Sequence, residues 1–253
     1  VNAALPNRIV LAGNGNLAKA LLEGPLPLAF PHMELWCRNG ETQDRLAAQF
    51  AIKAFDSANP NPALIFLAVS DQAIETVMAH FRTQARVFVH FSGSAQPMAK
   101  VAVVACWPVH SFSNKETVPW NAIPWMRTAG NSEIEQWALK CCDTLGGTQR
   151  MVSAEARRKL HLAAVILNNF GNHLIARVQE YCTENQLDSA SLQHLTEQTV
   201  LRLRDVPAAE VQTGPAKRHD TETMQQHLAM LQSDRELKEI YELFSKLISE
   251  RYL

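Results

Sequence analysis

The segment RIVLAGNGNLAKALL at residues 8–22 passes from an apolar run through a glycine turn into helical spacing. Ile9, Val10, Leu11 and Ala12 form the short apolar run that a strand covered on both faces uses. Gly13, Asn14, Gly15, Asn16, Leu17 and Ala18 follow, and Leu17, Ala20 and Leu21 then recur at helical spacing. A Gly-x-Gly-x-x-Ala match says little alone, but between a strand and a helix it reads as a dinucleotide-binding turn. Gly13 permits the sharp turn, Gly15 lets backbone approach a pyrophosphate, and the small Ala18 lets the helix pack closely on its strand. The helix start offers unpaired N–H groups and partial positive charge to phosphates. The competing reading is an ordinary glycine turn between a strand and a helix, with no ligand.

The next strand reads from Glu34 to Cys37 and ends in Arg38, Asn39 and Gly40. An acid at this position would accept from the ribose 2′-hydroxyl of NAD, whereas an arginine meets the 2′-phosphate of NADP. Arg38 therefore points to NADP rather than NAD, and the missing acid weakens a methyltransferase reading. The alternative for Arg38 is a solvated loop cation.

Further strands alternate with helices. Residues 52–55 form a short strand, and 59–62 (Asn-Pro-Asn-Pro) a loop. Residues 63–69 are apolar throughout and end in Ser70 and Asp71, good helix-capping residues. Residues 86–91 end in Ser92, Gly93 and Ser94, and 101–106 in Trp107, Pro108, Val109, His110 and Ser111. Residues 123–127 read as the last strand. Ser132 with Glu135 forms a capping box for a helix closed by Gly146 and Gly147. This alternation predicts an α/β domain with a doubly wound parallel sheet over residues 1–150.

From Ser153 the pattern turns helical, defining a second region at 151–253. One helix is expected from Ser153 to about Cys182, and its centre, residues 162–167, is apolar on every side and so predicted to be buried all round. A second helix is expected over 189–204 with Leu192, Leu195 and Leu203 inward, and a third after Asp220. A last helix starts at Ser233, with Glu236 as capping-box partner and a stripe through Leu237, Ile240, Tyr241, Phe244, Leu247 and Ile248.

Composition bounds the rest. The chain has 253 residues, 47% hydrophobic and 19% charged, which is the globular range. A formal net charge of −1 argues against nucleic acid or an anionic membrane as the main partner. No apolar run is long enough to span a bilayer, and the N-terminal residues lack the features of a signal peptide. Cys37, Cys106, Cys141, Cys142 and Cys182 make no Cys-x-x-Cys pair and read as reduced thiols of a cytoplasmic protein. No metal site is expected, because metal ligands do not cluster.

Ligands of open parallel sheets bind outside the carboxyl ends of the strands. Ser70, Ser92, Ser94, His110 and Ser111 fall there, though Ser70 could simply cap a helix and Ser92 to Ser94 could simply turn. On the long helix, Asn168 and Asn172 each lie within about 20° of His161 on a helical wheel. Polar groups in an apolar helix need partners, so they face a ligand cleft or join a buried network. Gly214 and Pro215 lead to Arg218 and Asp220. A guanidinium can grip a carboxylate or phosphate in two places, and Asp220 could cap the next helix.

With these residues in place, the chain resembles a family of two-domain Rossmann-like proteins described as NADP oxidoreductases, whose C-terminal helical domain has no known function. The matching stretches are GNGNLAKAL at 13–21, LAVSDQAI at 67–74, VHFSGS at 89–94, WPVHSF at 107–112, HLAAVILNNFGNHL at 161–174 and GPAKRHDTETMQQHL at 214–228. The family is related to pyrroline-5-carboxylate reductase, prephenate dehydrogenase and the 6-phosphogluconate dehydrogenase group. The resemblance implies an all-α second domain of the 6-phosphogluconate dehydrogenase C-terminal type, a cleft between the domains and dimerisation through the helices. It implies cofactor contacts at Gly13, Gly15 and Asn16, and cleft positions at Ser70, Ser92, Gly93, His110, His161, Asn169, Arg218 and Asp220. It favours Asn169 where the helical wheel favours Asn168, so both stay candidates. Two departures stand out: His219 replaces a common Gly, and Trp107 a common small residue. The Lys-x-x-x-Asn pair of hydroxyacid dehydrogenases is missing, since Ala163 follows Lys159.

The resulting expectation is an NADP-dependent oxidoreductase moving a hydride to or from a small carbonyl, imine or alcohol, as a homodimer. Its cofactor contacts are Gly13, Asn14, Gly15, Asn16, Leu17, Arg38, Ser70 and Ser92. His110 or His161 donates the proton, with Asn169 and Arg218 as further catalytic candidates. Ser94, Asn168 and Asp220 line the cleft. The alternatives are a non-catalytic dinucleotide sensor, and a second redox cofactor such as a deazaflavin beside NADP.

Overall fold

The computed structural model describes residues 8–58, 62–96, 101–113 and 117–252. The loop read at 59–62 therefore lies outside the described residues except for Pro62. The chain divides into two compact units between Ile166 and Leu167.

Eight strands form the sheet of the first unit: β1 Ile9–Ala12, β2 Glu34–Trp36, β3 Lys53–Ala54, β4 Leu64–Leu67, β5 Val87–His90, β6 Ala102–Pro108, β7 Pro124–Thr128 and β8 Thr148–Met151. Their order is β3-β2-β1-β4-β5-β6-β7-β8. Every pairing is parallel except β6 with β7. The connection therefore reverses between β1 and β4, where Ala12 pairs with Leu67, and such a switch opens a crevice at the carboxyl ends. β1, β4 and β5 are buried throughout, as their unbroken apolar runs require. One core cluster includes Leu11, Phe66, Phe91 and Trp125 and the other Val10, Ile65, Phe81 and Phe88, with side chains alternating between the two faces.

The helices of this unit are α1 Asn16–Glu23, α2 Pro25–Ala29, α3 Gly40–Gln49, α4 Asp71–His80, α5 Glu133–Asp143 and α6 Ala154–Ala164. The Ser132–Glu135 capping box is present, with the Glu135 N–H donating to Ser132 Oγ at 3.4 Å and the Ser132 N–H to Glu135 Oε2 at 3.1 Å. Two sheet expectations are corrected. The 123–127 strand runs antiparallel to its neighbour, and it is not the last. β8 follows it as an edge strand of Thr, Gln, Arg and Met, mostly exposed, so no apolar run marks it.

The second unit holds α7 Gly171–Glu184, α8 Gln193–Arg202, α9 Thr221–Met230 and α10 Arg235–Arg251, with a 3-10 turn at Ser189–Leu192. The single helix expected from Ser153 is interrupted by a π-helical stretch at Val165–Phe170. Its centre is not buried, for Leu162 is 61% and Leu167 78% exposed. Leu192, Leu195 and Leu203, expected to point inward, are exposed too. An all-round apolar sequence says that a surface needs covering, and does not say by what. The last helix is capped by Asp234 rather than Ser233, the Leu237 N–H donating to Asp234 Oδ1 at 3.0 Å. Among the described residues, no helix is long and apolar enough to cross a membrane.

Candidate functional site

The glycine turn sits at the switch point. Gly13 has φ +138°, and a Cβ added there would lie 2.1 Å from the Ala68 carbonyl oxygen. Its N–H donates to the Trp36 carbonyl at 3.0 Å. Only glycine passes between the ends of β2 and β4 in this way. At Gly15 the opposite holds: an added Cβ meets nothing within 4 Å. Gly15 is the N-cap of α1, and no side chain caps that helix. A helix start without a side-chain cap leaves its first N–H groups available to an anion. Asn14, Gly15 and Asn16 are exposed and Leu17 is half-buried. Asn16 Nδ2 donates to the Phe112 carbonyl at 3.2 Å, tying the helix start to the segment after β6.

Arg38 lies exposed just past the end of β2. Asn39, next to it, caps α3 by accepting from the Thr42 N–H at 2.8 Å. Burial raises the pKa of the Cys37 thiol before it, and the charge of Arg45 on α3 acts against that rise.

Ser70 occupies the N-cap position of α4, yet its side chain makes no capping bond. The capping role expected for its hydroxyl is therefore not taken up. Ser92 is buried, and its hydroxyl closes a turn by accepting from the N–H groups of Ser94 at 3.1 Å and Ala95 at 2.8 Å. Ser94 Oγ donates to Asp71 Oδ2, which joins the end of β5 to the start of α4. His90 is 1% exposed, and its Nδ1 accepts from the Ser92 N–H at 3.3 Å. Burial, and then the charge of Arg157, lowers its pKa to about 4, against the opposing pull of Asp71. His90 is thus neutral at physiological pH.

His161 on α6 comes to the same edge. Its ring meets Trp107 edge-on at 5.3 Å between centroids, and a Cβ at Gly93 would lie 2.3 Å from His161 Cδ2. Gly93, Trp107 and His161 therefore form one packed group. His110 lies half-buried past β6, edge-on to Phe112 at 4.8 Å. Lys159 pairs with Glu155 at 2.6 Å on the exposed side of α6.

Asn168, Asn169, Arg218 and Asp220 belong to the second unit. Asn168 Nδ2 donates to Asn169 Oδ1 at 3.2 Å, and both residues are exposed within the π stretch. The helical wheel that aligned Asn168 and Asn172 with His161 assumed α spacing, which a π turn breaks. Asp220 caps α9: both oxygens accept from Thr223, Oδ1 from the N–H at 3.1 Å and Oδ2 from the hydroxyl at 2.8 Å. These two bonds, with the charges of Arg218 and His227 beyond them, hold its carboxyl below the usual range. Arg218 is exposed in the turn before it. His219, where the resembling family carries Gly, has φ +53°, so the position demands a left-handed backbone.

Among solved structures, the chain is similar to a "putative NADP oxidoreductase" from Bacteroides fragilis, with 28% identity over 96% of this chain and 98% of that one and a TM-score of 0.84. It shares its fold with a semialdehyde dehydrogenase NAD-binding protein from Cupriavidus necator, solved with calcium and NAD, at 15% identity over 97% and 98% of the chains, TM-score 0.59. It also shares it with a pyrroline-5-carboxylate reductase from Coxiella burnetii, at 16% identity over 98% and 97%, TM-score 0.54. No curated protein matches the chain. The sheet is thus of the Rossmann kind seen in dinucleotide oxidoreductases, and residues 123–248 match the model of DUF2520, a domain of unknown function.

Proposed function

We propose that the chain is an NADP-dependent oxidoreductase acting on a small carbonyl, imine or alcohol. The carrying observation is the glycine turn: crowded at Gly13, open at Gly15, and followed by a helix without a side-chain cap. Gly13 makes the turn, residues 14–17 present backbone N–H groups to the pyrophosphate, and Arg38 meets the 2′-phosphate. When bound, the nicotinamide supplies the two-electron reducing equivalent. Ser70 offers a hydroxyl to the ligand beside it. His161, half-exposed against Trp107, can exchange a proton with solvent and pass it to the substrate, and we assign it that role ahead of His110. The deazaflavin alternative has no observation in its favour.

The test is a fluorescence titration with NADPH and NADH, followed by turnover on a panel of carbonyls and imines. Binding of neither nucleotide at millimolar concentration overturns the proposal. A sensor without turnover is the second reading. It is favoured by Lys159, which pairs with Glu155 at the surface and so supplies no hydroxyacid-dehydrogenase lysine. NADPH binding with no oxidation across the panel, unchanged by His161→Gln, would select it.

We further propose that two copies associate through the helical unit. Among the described residues 167–252 only Cys182, Ala216 and Leu231 are buried. A hollow of about 410 Å³ lined by Leu174, Val178, Ile240, Phe244 and Ile248 lies beside α10, and α8 exposes Leu195 and Val200. Exposed apolar surface on this scale marks an interaction face.

A further inference from the structure

Arg157 lies in the second turn of α6 and is 2% exposed. Its Nη1 donates to the Ser92 carbonyl and its Nη2 to the Ala95 carbonyl, the latter at 2.8 Å. Its Nε has no hydrogen-bond partner among the described residues. Among the described residues no carboxylate accepts from it; Asp71, whose charge favours it, instead accepts from Ser94 Oγ.

Local forces oppose an arginine at this place. Burial and the neighbouring Arg158 both disfavour its charge. An apolar side chain of similar volume would serve packing at least as well. What the guanidinium does uniquely is span two carbonyls with one planar fork, which a lysine ammonium cannot do.

Those two carbonyls bracket Gly93. The strap at 92–95 is internally stiff, because Ser92 Oγ accepts from two of its N–H groups. Its far side is fixed by Ser94 to Asp71. Arg157 and His161 are four residues apart and so share a face of α6. One turn beyond the clamp, His161 packs over Gly93, where a Cβ would lie 2.3 Å from the ring, and against Trp107.

We propose that Arg157 is a positioning residue: by clamping the 92–95 strap to α6 it fixes the strap backbone at Gly93 against His161, and so holds that imidazole on Trp107 at the carboxyl edge of the sheet. The catalytic meaning of this placement rests on the oxidoreductase reading above; the clamp itself does not. A Lys at 157 keeps the charge but not the fork, and lets the strap and His161 part.

The test is the NMR shift of the His161 Cδ2–H proton in the full chain, assigned with His161→Gln. Trp107→Leu calibrates the shift that the indole ring imposes. In Arg157→Met and Arg157→Lys, both checked for cooperative unfolding, the signal is expected to move more than halfway to its Trp107→Leu value. A folded Arg157→Met or Arg157→Lys with an unmoved His161 signal overturns the proposal. Gly93→Ala decides the matter if neither Arg157 variant folds. Against a clamped strap its methyl group pushes His161 off Trp107 and the signal moves, whereas an unmoved signal means that the strap yields and the clamp is refuted. None of these readouts needs a nucleotide. A wild-type protein that fails to bind NADPH defeats the oxidoreductase reading and leaves the clamp to be judged by the His161 signal.

Discussion

His90 closes β5 with its ring buried and its pKa lowered to about 4, below the value near 6.5 that it has in an unfolded chain. Above pH 6.5 neither state binds this proton and stability is unaffected by it. As pH falls from 6.5 toward 4 the unfolded chain takes up a proton that the folded chain refuses, so stability is lost, by about 3 kcal/mol at the lower end. Urea unfolding midpoints measured from pH 7 to pH 4 should fall accordingly, and His90→Gln should flatten that slope; an equal slope in the variant would contradict the assignment. His219 carries a different liability. Its left-handed backbone (φ +53°) suits glycine, so His219→Gly is expected to stabilise the chain by about 1 kcal/mol, read as a higher melting temperature. Asp71, His90 and Arg157 show where residue-level reading runs out. Each is an ordinary polar letter in sequence, and its importance comes from partners on other elements, such as the carbonyls that receive Arg157.

At the scale of elements, the two glycines of the first turn should behave oppositely. Gly13→Ala places a methyl group on the Ala68 carbonyl and is expected to destabilise the sheet by roughly 2 kcal/mol or more. Gly15→Ala meets only open space, so it should keep the melting temperature within a few degrees while weakening NADPH binding. Equal losses of stability in both would refute the distinction. The Ser132 cap of α5 offers a milder check, with Ser132→Ala expected to cost about 1 kcal/mol in chemical denaturation. Strands β1, β4 and β5 were legible because burial on both faces demands unbroken apolar runs. β8 was not, since an exposed edge imposes no pattern. The Ser132 box was legible because both its partners lie within one turn. The π stretch at Val165–Phe170 was not, because hydrophobic periodicity records which residues are apolar and not where the hydrogen-bond ladder shifts. A wheel drawn at α spacing does not hold across that shift.

At the scale of the molecule, the helical unit has almost no buried core of its own, and sedimentation at micromolar concentration should give twice the mass of one chain. Leu195→Glu on α8 should favour the monomer; a wild-type monomer would contradict the association. The glycine turn of the candidate site was legible, since Gly13 and Gly15 stand between an apolar run and a helical one, whereas the Gly93, Trp107 and His161 group was not, because it exists only through packing. The central claim is that the turn after β1 holds a dinucleotide and that Arg38 selects the phosphorylated one. Titration of NADPH and NADH, in wild-type and in Arg38→Ala, tests it most directly. The expected result is NADPH binding roughly tenfold tighter than NADH in wild-type, from one charge-assisted contact, with the difference abolished in Arg38→Ala. Failure of the wild-type to bind either nucleotide, or an NADPH preference that survives in Arg38→Ala, would contradict it.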